Sequence, residues 1–153
     1  VVSTDPLRQW EGWAGALLAK LEAPKRRALA VTIARELRRS QQQRIAAQHD
    51  AEGSPFVPRK PRLRDRRGAI RRRAAMFTKL RTAKWLRMSG TADAAEVGFV
   101  GRVARIARVH QEGLRDRAAQ GEPQIRYPRR AMLGLTPSDR ERVRDLLLEH
   151  LTG

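Results

Sequence analysis

The 153-residue chain contains no cysteine, which excludes disulfides, thiol catalysis and cysteine-ligated zinc. Aromatic residues make up 5%. Phe56, Phe77 and Trp85 stand singly around the most basic stretch, a poor basis for a base-stacking platform. No run approaches the roughly 20 apolar residues that cross a bilayer, and no amino-terminal basic–apolar–small pattern marks a signal peptide. No membrane partner is expected, and synthesis in the cytoplasm is. The three histidines, His49, His110 and His150, are far apart and lack metal-ligand spacing. Gly98-Phe99-Val100-Gly101 lacks the lysine and spacing of a phosphate-binding loop. There is no Gly-x-Ser-x-Gly elbow and no nucleophile beside a base. Acids number 16 and mostly neighbour arginines, as in solvated ion pairs that contribute little each. No catalytic residue, metal ligand or cofactor-binding residue is therefore assigned, no cofactor is expected, and the chain reads as a non-enzyme.

What the chain has in excess is positive charge. Thirty-three Lys and Arg against 16 Asp and Glu give a net charge of +17. Arginine outnumbers lysine by 28 to 5, a bias to which a GC-rich genome contributes without any function. A charge of that size on a small domain repels itself and favours polyanions or acidic protein surfaces. It is densest between Arg59 and Arg87, where thirteen basic residues face one acid, Asp65. Arg59, Lys60, Arg62, Arg64, Arg66, Arg67, Arg71, Arg72 and Arg73 are the candidate docking residues, for phosphates or for acidic protein. No helix-turn-helix, zinc-finger or RNA-recognition signature accompanies them.

Hydrophobic residues at 41% are enough for a modest core, and the length suits one domain. Asp5-Pro6 supplies a cap and a proline at the first helical position. Leu7, Trp10, Ala14, Leu17, Leu18 and Leu21 then recur at helical steps. A second helix runs from Pro24 to about His49. Leu29, Ile33, Leu37 and Ile45 form its stripe, Ala30, Ala34 and Gln41 lie beside it, and Lys25, Arg26, Arg27, Arg35, Arg38 and Arg39 occupy the other face. Asp50–Gly68 is broken by Gly53, Pro55, Pro58, Pro61 and Gly68 and reads as a loop. Ile70–Leu80 reads as a short helix or an irregular arm anchored by Ala74, Met76, Phe77 and Leu80. Met76, Met88 and Met132 read as core filler.

Lys84–Met88 and Glu96–Val100 read as strands around a turn over Ser89–Ala95. Val103, Ile106, Ala107 and His110 share a helical face that Gly113 is placed to end. Leu114–Pro123 reads as a loop, Gln124–Tyr127 as a strand closed by Pro128. The last helix opens at Thr136-Pro137-Ser138-Asp139 and buries Val143, Leu146, Leu147 and Leu151. No internal repeat is present. The expected fold is α+β in a single domain, 1–153: an N-terminal helical hairpin, a basic Pro/Arg-rich extended arm at about 50–73, a small antiparallel sheet with a central helix, and a C-terminal helix.

The run Gly98-Phe99-Val100-Gly101-Arg102-Val103-Ala104-Arg105-Ile106-Ala107-Arg108-Val109-His110-Gln111-Glu112-Gly113 resembles the central signature of the phage virion morphogenesis family. Its best-known members are tail completion proteins of contractile-tailed temperate phages. Trp10–Trp13, Arg35–Gln41 and Pro58–Pro61 resemble the family's amino-terminal half, Arg72–Phe77 and Lys79–Arg81 its middle, and Tyr127–Arg129, Leu133-Gly134 and the closing helix its end. The resemblance covers nearly the whole chain in the family's order. It implies a structural virion protein at the head-proximal end of the tail, in phages or in headless tail-like bacteriocins, made in the host cytoplasm. It also implies a homo-oligomeric ring, hexameric in related tail-end proteins, that caps tube and sheath and lets heads join. The implied partners are copies of itself, tube and sheath proteins, and neck or head-completion proteins. Genomic DNA in the lumen is a further expected contact. The family brings no catalytic residues. What carries over is the signature Gly98, Phe99, Gly101, His110, Gln111 and Gly113 as a fold-defining strand–helix turn. A lone histidine at a helix end reads as a packed or capping residue; contact of His110 and Gln111 with a neighbouring subunit is the other expectation, and it is not one the family supplies. The competing expectation is a basic nucleic-acid-binding protein without sequence preference.

Overall fold

In the computed structural model, residues 6–59 and 74–152 are described. Asp5, and the arm residues from Lys60 to Arg73, lie outside them, as do the side chains of Leu7 and Trp10. Among the described residues the fold is α+β, with four helices and two small antiparallel sheets. In chain order these are α1 (Pro6–Leu18), α2 (Ala23–Ala46), β1 (Leu86–Gly90), β2 (Ala95–Phe99), α3 (Val103–Glu112), β3 (Arg115–Arg117), β4 (Gln124–Arg126) and α4 (Pro137–Thr152). Strand β1 pairs with β2, and β3 with β4. Contacts gather the described chain into two compact units. One comprises 6–37, 88–97 and 137–152, the other 38–59, 74–87 and 98–136.

The first unit holds an apolar cluster built from three helices. Ala14 of α1, Leu29 and Ile33 of α2, and Val143, Leu146 and Leu147 of α4 pack together, with Leu18, Leu21, Leu37 and Ala95 against them. The four-residue steps 29–33 and 143–147 put those residues on one face of each helix. Gly90 lies on the backbone of α2. A Cβ there would sit 2.5 Å from the Val31 amide nitrogen, so only glycine permits the approach. Arg26, expected on the solvent face of α2, is half-buried instead. Its Nε donates to Ala92 O at 3.1 Å and its Nη1 to Leu21 O at 3.0 Å. Snorkelling arginines commonly bury their stems in this way.

The strands fall within two residues of their expected positions. Leu86 and Met88 alternate with exposed Arg87 and Ser89, the period-two pattern of a half-buried strand. The turn is tighter than Ser89–Ala95: Thr91 N donates to Ala94 O at 2.8 Å, and Thr91 Oγ1 accepts from Asp93 N and Ala94 N. Threonine there supplies the local side-chain bonds that favour turns.

Three expectations are corrected. Leu114–Pro123 is not all loop, because Arg115–Arg117 forms β3 against β4. Ile106 does not face the core: it is 48% exposed, and Val103, Ala107 and Val109 are the buried positions of α3. Ala74 is exposed and anchors nothing apolar, whereas Met76 is buried, and the described part of 70–80 is a series of turns.

Candidate interaction site at the root of the basic arm

The second unit converges on the two ends of the basic segment. Helix α2 ends at Ala46, and Gln48 turns the chain with φ +62°. Its side chain then clasps the far end of the arm. Gln48 Nε2 donates to Met76 O at 2.9 Å, and Met76 N donates to Gln48 Oε1 at 2.7 Å. The Gln48 carbonyl meanwhile accepts from Phe56 N at 2.8 Å. Among the described residues Phe77 is the other non-glycine with positive φ, +64°, a conformation costing roughly 1–2 kcal/mol per residue. Both residues thus flank, in sequence, the basic segment between Arg59 and Ala74. Arg59 Nη1 closes the mouth by donating to Ala74 O at 3.1 Å.

Beneath that mouth runs an aromatic chain. Phe56 meets Phe77 edge-on at 5.6 Å between centroids, Phe77 meets His110 at 4.9 Å, and His110 meets Tyr127 at 5.1 Å. Phe56 is buried, so this aromatic serves packing and is not a free stacking surface. Arg130 is 5% exposed and anchors the outgoing arm. Nε donates to Val57 O at 2.6 Å and Nη2 to Pro58 O at 3.1 Å, while Nη1 reaches His110 Nδ1 at 3.2 Å. A guanidinium only donates, so Nδ1 accepts and the imidazole is neutral with its proton on Nε2. Burial lowers the His110 pKa from 6.5 to about 4, helped by the charges of Arg130 and then Arg59.

Two more glutamines repeat the clasp. Gln111 Nε2 donates to Leu133 O and Leu133 N to Gln111 Oε1, both at 2.9 Å. Gln41 Nε2 donates to Gly134 O at 2.9 Å, and Gly134 N returns to Gln41 Oε1 at 3.1 Å. Each amide acts as a surrogate peptide group, satisfying both polar groups of a segment without sheet partners. Gly113 ends α3 in the left-handed conformation at φ +68°, and its N–H reaches Val109 O. A Cβ there would meet Arg129 N at 3.1 Å. At Gly101, φ +67°, a Cβ would lie 3.2 Å from the Trp85 ring. Lys84 and Arg102 cations sit over that ring at 4.7 and 5.4 Å.

Nothing in this arrangement gathers reacting groups. Among the described residues, no three His, Asp or Glu side chains cluster to hold a metal, and no helix is long and apolar enough to cross a membrane. In the first unit a shallow open groove of about 650 Å³, lined by Ala28, Val31, Ala92, Arg27 and Arg35 among others, contains no acid or histidine. The geometry holds segments of the chain to one another.

The phage virion morphogenesis family model matches residues 5–152. "Tail completion protein S" of Escherichia phage P2 is 34% identical over 149 residues, covering 96% of this chain and 98% of that protein. The chain belongs to the phage virion morphogenesis family. No solved structure matches it.

The geometry gives separate roles to the residues expected as the family signature. Gly101 and Gly113 are required by positive φ and close neighbours, His110 fills the aromatic chain, and Gln111 fastens the 133 segment. Phe99 closes β2 and is half-buried. Gly98 has open space where its Cβ would be, and nothing in the structure explains a glycine there. Both amide atoms of Gln111 and the Nδ1 of His110 are engaged within the chain. Of the nine candidate docking residues only Arg59 is described, at the arm's mouth; Lys60, Arg62, Arg64, Arg66, Arg67, Arg71, Arg72 and Arg73 lie outside the described residues. Arg130, Gln41 and Gln48 were missed by sequence reasoning. The only signal was Gln41 on the apolar side of α2, at a position where a polar side chain must find a buried partner.

Proposed function

We propose that this member of the phage virion morphogenesis family is a structural protein that completes the phage tail at its head-proximal end. The observation that carries this is the end-to-end match to a family whose P2 member is a tail completion protein. The chain works as a single-domain subunit of a homo-oligomeric, hexameric ring that caps the tube and sheath and receives the neck. It acts by binding and not by catalysis, in the host cytoplasm during assembly and in the virion tail thereafter. The basic arm from Arg59 to Arg73 docks on acidic surfaces of adjacent subunits, tube or neck. The clasp supports this, since the Gln48–Met76 and Arg59–Ala74 bonds hold together the two described ends of the segment that carries this charge.

Deleting the gene in its parent phage or tail-like element and imaging the lysate tests the role. Tails of irregular length, or finished heads beside unjoined tails, are the expected products, and normal joined particles in normal numbers would overturn it. Charge reversal at Arg71, Arg72 and Arg73 should block assembly while the purified subunit stays folded. Intact tails in that variant would remove the arm from the interface. The density of arginine in the arm favours a second reading, contact with the DNA that threads the lumen. Particles would then assemble normally in the variant but retain or eject DNA abnormally.

A further inference from the structure

The ribbon formed by β3 and β4 carries charge in an arrangement that folding alone does not favour. Its antiparallel register sets Arg115 opposite Arg126, Asp116 opposite Ile125, and Arg117 opposite Gln124. Residues directly opposite share a face, and neighbours along a strand alternate. One face therefore bears Arg115, Arg126, Arg117 and Gln124, all exposed, and the other Asp116 and Ile125. The ribbon's sole acid is turned away from the three arginines. It is engaged there by Arg105, whose Nη2 lies 2.5 Å from Asp116 Oδ1. Like charges directly opposite oppose pairing, and two-stranded ribbons this short are marginal to begin with. Arg115 and Arg126 thus weaken the element that displays them.

We propose that this arginine face is a binding site for duplex DNA, separate from the arm. Guanidinium groups match phosphate oxygens in two-pronged geometry, and the major groove admits a two-stranded ribbon. Arg115 and Arg117 lie about 7 Å apart along one strand, with Arg126 across from the first. Gln124, on the same face, offers an amide that pairs with base edges or phosphates. An acidic protein is the poorer fit. The face has no aliphatic or aromatic side chain to form the dry centre of a protein interface, and the ribbon's one large apolar residue, Ile125, is on the opposite side. Binding by purified protein and the morphology of mutant particles are separate measurements, so either can fail without the other.

The experiment is fluorescence anisotropy with a mixed-sequence duplex of about 20 base pairs, from about 50 to 300 mM salt. It compares the full chain, the variant Arg115→Ser/Arg117→Ser/Arg126→Ser, and a charge-matched control, Lys25→Ser/Arg35→Ser/Arg39→Ser on α2. The ribbon variant should bind more weakly, and its slope of log affinity against log salt should be shallower by about 2 to 3. The control should stay close to the parent. Thermal melting of the ribbon variant should match or exceed the parent's, because a like-charge pair has gone. If that variant unfolds, Arg126→Ser alone should reduce the slope by about 1. Equal losses in ribbon and control variants would overturn the site, as would failure of the parent to bind duplex. So would poly-L-glutamate that binds the parent as tightly as duplex and loses that binding in the ribbon variant, since the face would then be a protein-docking surface.

Discussion

Lowering the pH should loosen the second unit through one side chain. His110 is packed between Phe77 and Tyr127 and accepts from Arg130. Protonation would set an imidazolium donor against a guanidinium donor. Burial first, then Arg130 and Arg59, bring its pKa from 6.5 to about 4. The unfolded chain therefore takes up the proton at higher pH than the folded one. Stability is undiminished above about pH 6.5, declines as the pH falls toward 4, and has no further loss from this group below that. At pH 5 the difference in proton uptake corresponds to about 2 kcal/mol, and solvent screening of a half-exposed ring reduces it to about 1 kcal/mol. Urea denaturation of the parent and of His110→Phe, each at about pH 7.5 and pH 5, isolates the effect from carboxylates common to both. The parent should lose about 1 kcal/mol more than the variant on acidification. Equal losses, or an imidazole resonance titrating at its ordinary value in NMR, would refute the reasoning.

Other substitutions probe the close approaches and clasps. Gly90→Ala drives a Cβ into the α2 backbone and should cost roughly 1–3 kcal/mol in thermal or chemical melts. Gly98→Ala meets open space and should stay within about 0.5 kcal/mol. Gln111→Leu leaves the Leu133 amide and carbonyl without their partner and should cost about 1–3 kcal/mol, with faster hydrogen exchange at Leu133. Arg130→Met strips the donor from the Val57 and Pro58 carbonyls. It should destabilise the chain by about 2 kcal/mol and speed tryptic cleavage after Arg59.

Helices were the most legible part of the fold. Leu29 and Ile33, or Val143 and Leu147, recur at a period that leaves no alternative, and Pro24, Pro137 and Gly113 mark where helices start or stop. Periodicity misplaced one residue of α3. Ile106 has the right spacing and falls within the arc spanned by buried Val103, Ala107 and Val109, yet it is exposed, and nothing in the structure explains that. Strand β3 was invisible because Arg-Asp-Arg carries no apolar alternation; its signal was charge at period two, matched by Gln124 and Arg126. The site itself was half legible. Composition singled out the segment from 59 to 73, of which Arg59 alone is described, and the resemblance singled out His110 and Gln111, whose polar atoms are bonded within the chain. Arg130 and Gln48 did not stand out, because a charged or amide side chain enters a core through partners distant in sequence, and those partners exist only once the chain has folded.

The three glutamine clasps give this strongly charged protein a division of labour. Gln48 and Gln111 neither titrate nor attract counterions, so their bonds to the 76 and 133 backbone are indifferent to ionic strength, whereas the Gln41 clasp at 134 is shared with the Arg44 guanidinium, which donates to Gly134 O at 3.2 Å and to Gln41 Oε1. The arginine-rich surface responds steeply to ionic strength. Salt that screens the arginine-rich surface should therefore leave the Gln48 and Gln111 fasteners closed. The fold and the charge on its surface thus answer to salt separately.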